Sequence, residues 1–271
     1  MQAIVFHILS HGNIPLEHIS LFSPFYEINK TWNTENDEID NKYIENHNLL
    51  GWRVFNTHLI PNMLPQYNKL NNELNNELNN KLNNVSVRPV RYIYVYRNAK
   101  DVCVSFFHHL SNQIGDGGLC EELNIHQFIV DWSTGELPYG SWIRHLRNWF
   151  DKIEKNKIDN NNDILLVKYE DLINDFSTQL QKISVFLDQN LTEIRLNELT
   201  TQLSFEEMKK NKKLYEPISV NWKDGFNFLR KGVIGDSKLH FTEDDEILLN
   251  NMLEKEFPEG IPDWFTELNT I

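Results

Sequence analysis

At 271 residues the chain is long enough to bury a sizeable core as one domain, and 39 acidic against 26 basic side chains leave a formal net charge of −13. Such a balance excludes a general binder of nucleic acid or anionic membrane, which needs a basic face to displace counterions from phosphates. Any anionic ligand must therefore sit on a local cluster of Arg and Lys, and the two cysteines, Cys103 and Cys120, in no metal-like spacing and too few for a disulfide framework, fit a reducing cytoplasm.

The chain opens MQAIVFHILSHG, in which Ile4, Val5, Ile8 and Leu9 are spaced for one helix face and Gly12 is placed to end the helix. No capping residue leads in. The apolar stretch is about a third of the ~20 residues that a membrane span needs, and no basic segment precedes it, so neither a span nor a targeting element is expected. TENDEIDN, residues 34 to 41, reads as a loop. Strands are expected at WRVFNTHL (52 to 59), VRYIYVY (90 to 96) and DILLVKY (163 to 169). Between the first two, NNELNNELNNKLNN (71 to 84) places Leu every fourth residue, which suits either a short surface helix or a low-complexity insertion, set here at residues 68 to 86. Helices are expected from FFHHL, YGSWIRHLRNWFDKI, FSTQLQKISVFL and DDEILLNNMLEKEF. Strands alternating with helices imply a single α/β domain over 1 to 271, with a mainly parallel sheet covered on both faces.

Ligands in such folds gather at the carboxyl ends of the strands. In VRYIYVYRNAKDVCVSFFHHL a strand ending at Tyr96 would release Arg97, and a helix from about Ala99 would present Ser105 two turns in. A guanidinium fork and a hydroxyl there could hold an anion; equally, Arg97 and Asp101 could form an ordinary pair. FLRKGVIGDSK sets Arg230 and Lys231 beside Gly232, where backbone N–H groups could approach an anion, although two cations in a loop are also common surface. His58 in NTHLIP ends the WRVF strand and is placed to take a hydroxyl proton, or to serve as one of ten structural histidines. Tyr169 in VKYEDL could meet a ligand or pack before a helix capped by Asp171. No paired-cysteine motif, HExxH, EF-hand loop or Walker loop occurs, so no metal is expected.

In their order, NTHLIP, RNAKDVCVSFFHH, TGELPYGSWIRHLRNWF, ILLVKYEDL, SFEEMKKN and FLRKGVIGDSKLHFT resemble the cytosolic sulfotransferases, which move a sulfuryl group from 3'-phosphoadenosine 5'-phosphosulfate (PAPS) to a hydroxyl or amine. The resemblance implies a three-layer, P-loop NTPase-like α/β sandwich and a small-molecule acceptor. It assigns Arg97, Ser105, Arg230, Lys231 and Gly232 to the 3'-phosphate. Tyr169, Leu203, Ser204, Phe205 and Met208 go to the adenine end, with Phe205 against the ring; Phe228 is a further cofactor-binding residue, and His58 is the general base. The segment from Phe106 to Glu122 would be a lid over the acceptor.

Three departures accompany it. The family's first core strand and phosphosulfate loop precede the helix matched by MQAIVFHI, so they would lie ahead of Met1, through a shortened gene model or a true loss. The family lysine two residues before the catalytic His is Asn56. The homodimer motif is incomplete: Lys238 and Thr242 match, whereas Glu243 and Ile247 do not. Two other readings stay open, a non-catalytic 3'-phosphoadenosine nucleotide-binding or interaction protein and a P-loop nucleotide kinase.

Overall fold

The computed structural model describes residues 1–28, 45–64, 90–115, 118 and 124–266. The stretches 34 to 41 and 68 to 86, and residues 116, 117 and 119 to 122 of the expected lid, Cys120 among them, lie outside them.

In chain order the elements are α1 (Gln2–Leu9), β1 (Tyr92–Tyr96), α2 (Ala99–Ser111), β2 (Gln113–Ile114), α3 (Ile125–Thr134), α4 (Trp142–Ile158), β3 (Ile164–Lys168), α5 (Tyr169–Asn174), α6 (Phe176–Phe186), α7 (Glu193–Gln202), α8 (Phe205–Lys210), β4 (Asn221–Trp222), α9 (Glu243–Glu256) and α10 (Asp263–Thr266). β1 pairs parallel with β3, from Tyr92 opposite Ile164 to Tyr96 opposite Lys168. Parallel neighbours need a long crossover, and α2, α3 and α4 supply it.

Side chains alternate across this sheet. Ile93, Leu165 and Val167 pack into a core with Phe6, Ile8, Leu180, Ile183 and Leu199 from α1, α6 and α7. Tyr92, Tyr94, Ile164 and Leu166 turn the other way onto Trp149 and Ile153 of α4, where Tyr94 and Trp149 stack at 5.0 Å. Both faces are thus covered, and the three layers expected of the fold are present. A further apolar cluster joins α2, α3, α4 and α9 through Cys103, Phe128, Leu146 and Leu253.

Three local expectations are corrected. WRVFNTHL is not a strand: its one ladder contact is an isolated parallel bridge between Phe25 and Asn56. Asn56 donates to the Pro24 carbonyl at 2.9 Å and accepts from Tyr26 at 2.8 Å; Pro24 has no N–H to carry the ladder back, and the His58 N–H that would carry it forward is taken by Glu27 Oε1. Second, α1 buries every residue from Ala3 to Leu9, so it is a core helix and not one with a single apolar face. Third, α5 starts at Tyr169 with Lys168 at its cap position, which puts Asp171 inside the first turn.

Candidate active site

The carboxyl end of β1 leads into α2 through Asn98, whose side chain accepts the backbone N–H groups of Lys100 and Asp101. This cap fixes the turn that aims Arg97. Asp101, fully buried one turn into the helix, accepts N–H groups from Gly235 at 2.8 Å and Ser237 at 3.0 Å. It thereby pins the late loop to the start of α2 and carries Arg230 toward Arg97. Burial alone would raise the Asp101 carboxyl, but these bonds and the Arg97 charge outweigh it, and the group sits below its ordinary value.

Arg97 donates to Asp101 Oδ2 at 2.9 Å and to the Val233 carbonyl at 2.7 Å. Its guanidinium lies 4.3 Å from the centre of the Tyr169 ring, a cation–π contact. Nε of Arg97 is buried and has no hydrogen-bond partner among the described residues. Arg230 and Lys231 share one counterion, Asp236, at 2.5 and 2.6 Å. Burial pushes the Asp236 carboxyl up, yet the bonds from Lys231 and Arg230 hold it down at about 2. Ligand atoms of His108, Asp236 and His240 lie within 4.8 Å of one another. Both oxygens of that carboxylate are taken by the two cations, so the cluster works as an ion-pair node.

His58 stacks between Phe25 (5.1 Å) and Tyr139 (4.7 Å). Burial, above all, drives the nearby His109 and His145 down to about 4, so both are neutral imidazoles at cellular pH.

A cavity of about 830 Å³ unites six of the twelve expected residues. His58, Arg97, Ser105, Tyr169, Phe228 and Arg230 all line it, together with apolar side chains that include Phe25, Trp132, Trp142 and Phe226. Lys231 and Gly232 follow Arg230 outside its lining. Gly232 has φ +65°, and a Cβ there would lie 2.6 Å from Phe205 Cδ2, so the loop and the Phe205 ring touch. Leu203, Ser204 and Met208 are not brought to the cavity wall. Leu203 is buried, with Met208 packed against the same core; Ser204 caps α8 through the Glu207 N–H. The sequence reading missed Phe25, Glu27, Tyr139, His145 and Asp236. Of these, Asp236, Tyr139 and His145 stand inside strings already quoted, while Phe25 and Glu27 carried no motif.

The fold and site define an α/β protein with one cavity lined by His58, two arginines and a serine. The model of the sulfotransferase domain matches residues 78–259, and the chain belongs to that family. It is 36% identical over 155 residues to sulfotransferase 1B1 of Canis lupus familiaris, covering 55% of this chain and 49% of that protein. It is 28% identical over 210 residues to human sulfotransferase 1E1, covering 76% and 61%. The chain thus spans about half to three fifths of the length of these curated relatives. Mouse sulfotransferase SULT7A1, solved with PAP, superposes with a TM-score of 0.60 at 25% identity over 80% of this chain and 70% of that one. Retinol dehydratase, at 20% identity, a TM-score of 0.67 and coverage of 96% and 77%, shares the fold. Among the described residues no helix is long and apolar enough to cross a membrane.

Proposed function

We propose that this chain is a cytoplasmic PAPS-dependent sulfotransferase acting on a hydroxyl or amine of a small, largely apolar acceptor. The observation that carries the reading is one cavity lined by His58 together with Arg97, Ser105 and Arg230. The residues fit the nucleotide: the buried, unpartnered Arg97 Nε is a donor awaiting an acceptor, and Arg230 and Lys231 are cations held by a carboxylate that a phosphate could replace. PAP in the mouse relative supports the same assignment. Arg97, Ser105, Arg230 and Lys231 would hold the 3'-phosphate, with Tyr169 and Phe205 beside the ring.

PAPS supplies the sulfuryl group, and such in-line transfers depend on positioning more than on covalent help from the protein. His58 would take the acceptor proton, while the aromatic side chains of the cavity would orient the acceptor and keep water away. Binding and turnover are tested apart.

Titration calorimetry with adenosine 3',5'-bisphosphate should show binding that Arg97→Ala weakens by tenfold or more, and a folded chain giving no heat would remove the nucleotide reading. Sulfuryl transfer from PAPS to a simple phenol should be lost in His58→Ala with nucleotide binding kept. Binding without turnover in the parent chain would leave the non-catalytic, nucleotide-binding role.

A further inference from the structure

Glu27 lies in no motif and is 31 residues from His58 in sequence, yet it meets that histidine twice. Its Oε1 accepts the His58 backbone N–H at 2.7 Å and stands 3.6 Å from the ring Nδ1. The first is a firm hydrogen bond. The second is longer than one and within ion-pair range, as is common for catalytic contacts before substrate arrives. The Glu27 side chain is 14% exposed, against 50% for His58, so the carboxylate approaches the ring from the protein side. Its other oxygen, Oε2, is buried without a hydrogen-bond partner among the described residues. Burial would raise the carboxyl, but hydrogen bonds from His58 and Thr57 bring it below its ordinary value, and it is ionised at cellular pH.

The groups around the ring make this carboxylate matter. Phe25 and Tyr139 sandwich the imidazole, His145 reaches the His58 backbone from α4, and His109 faces it from α2. Those two histidines are neutral and Tyr139 is held un-ionised by burial and by Glu27, so they offer no anion to an imidazolium.

We infer that Glu27 is a positioning residue that holds His58 with its proton on Nδ1, so that Nε2 is left unprotonated toward the cavity as the base. This deepens the proposed function and rests on His58 being its base. In the transfer, the acceptor oxygen forms a bond to sulfur while the bond from sulfur to the phosphate oxygen breaks, its electron pair leaving with adenosine 3',5'-bisphosphate. The acceptor proton passes to Nε2, and Nδ1–H keeps facing the Glu27 carboxylate, which stays ionised throughout. One carboxylate oxygen fixes both the backbone and the ring of the base, the arrangement by which a buried acid selects a histidine tautomer in other hydrolytic and transfer sites.

The test reads the ring and needs no turnover. Two-bond ¹H–¹⁵N correlation spectra of the full chain, with the His58 signals assigned by their loss in His58→Gln, report which nitrogen carries the proton in the neutral form. The expected result is the Nδ1–H tautomer in the parent chain, a shift toward Nε2–H in Glu27→Gln, and return toward Nδ1–H in Glu27→Asp. An Nε2–H majority in the parent chain overturns the inference even if neither Glu27 variant folds, and so does a tautomer unchanged by Glu27→Gln. Loss of turnover in His58→Ala speaks to the base alone, so failure of that reading is told apart from failure of this one.

Discussion

Asp101 and Gly235, 134 residues apart, are joined by a 2.8 Å bond from the glycine N–H to the buried carboxylate. Ser237 adds a second at 3.0 Å, so one acidic side chain in the first turn of α2 seats the whole loop that carries Arg230 and Lys231. The same carboxylate pairs with Arg97. The seat of the loop and Arg97 are therefore fixed relative to each other.

Replacing Asp101 by Asn keeps shape but leaves an amide where an acceptor for three donors stood. Losing buried, charge-assisted bonds of this kind costs about 1–3 kcal/mol. Urea unfolding should show that loss, and hydrogen exchange should be faster at Gly235 and Ser237 than in the parent chain. Unchanged exchange at those two amides would mean that something else seats the loop.

Asp236 makes stability depend on pH at the acid end. Its carboxyl is held at about 2 in the folded chain, against an ordinary 3.8, by Lys231 and Arg230 acting against burial. A depressed folded value means that the stabilisation is complete above the unfolded value near 4 and is lost as pH falls through about 2. Lys231 is 47% exposed, so solvent screens its share, leaving a contribution on the order of 1 kcal/mol. Asp236→Asn should lower stability at neutral pH by about that amount and flatten the decline between about pH 4 and 2, measured by urea unfolding at each pH. A variant whose acid limb is as steep as the parent's would show that the ion-pair node contributes nothing.

How much of this was legible in the sequence follows from range of interaction. β1 and α2 were readable because their signals are local: an apolar, β-branched run ending at Tyr96 and a helix start near Ala99. The segment after Trp52 alternates as well, with Trp52 and Val54 packed on the core, but whether it pairs depended on Pro24, which the segment itself does not reveal. Arg97, Ser105 and Arg230 were found by motif and strand-end position and do meet in one cavity. Leu203 and Met208, assigned by resemblance alone, turned out to pack on the core. Glu27 was invisible, since nothing near it in the chain announces a contact with His58.

Gly232 and Phe205 give the sharpest test of the late loop. At φ +65° the backbone of residue 232 is strained for any L side chain, and the would-be Cβ meets Phe205 at 2.6 Å from Cδ2 and 2.7 Å from Cε2. Gly232→Ala therefore has two separable costs, one conformational and one steric. A positive φ alone costs an alanine about 1 kcal/mol, and the clash requires the Phe205 ring to move. The ring has room to do so, because Phe205 is only partly buried, with Lys209 Nζ 5.8 Å from its centre. In a double-mutant cycle, Phe205→Ala should relieve the steric part and leave the conformational part, giving a coupling of about 0.5–1 kcal/mol between two residues 27 positions apart. Additive effects on urea stability would show that the ring swings clear without cost. The coupled result would mean that the glycine is required by the ring lying over it, which ties the loop carrying Arg230 to the start of α8.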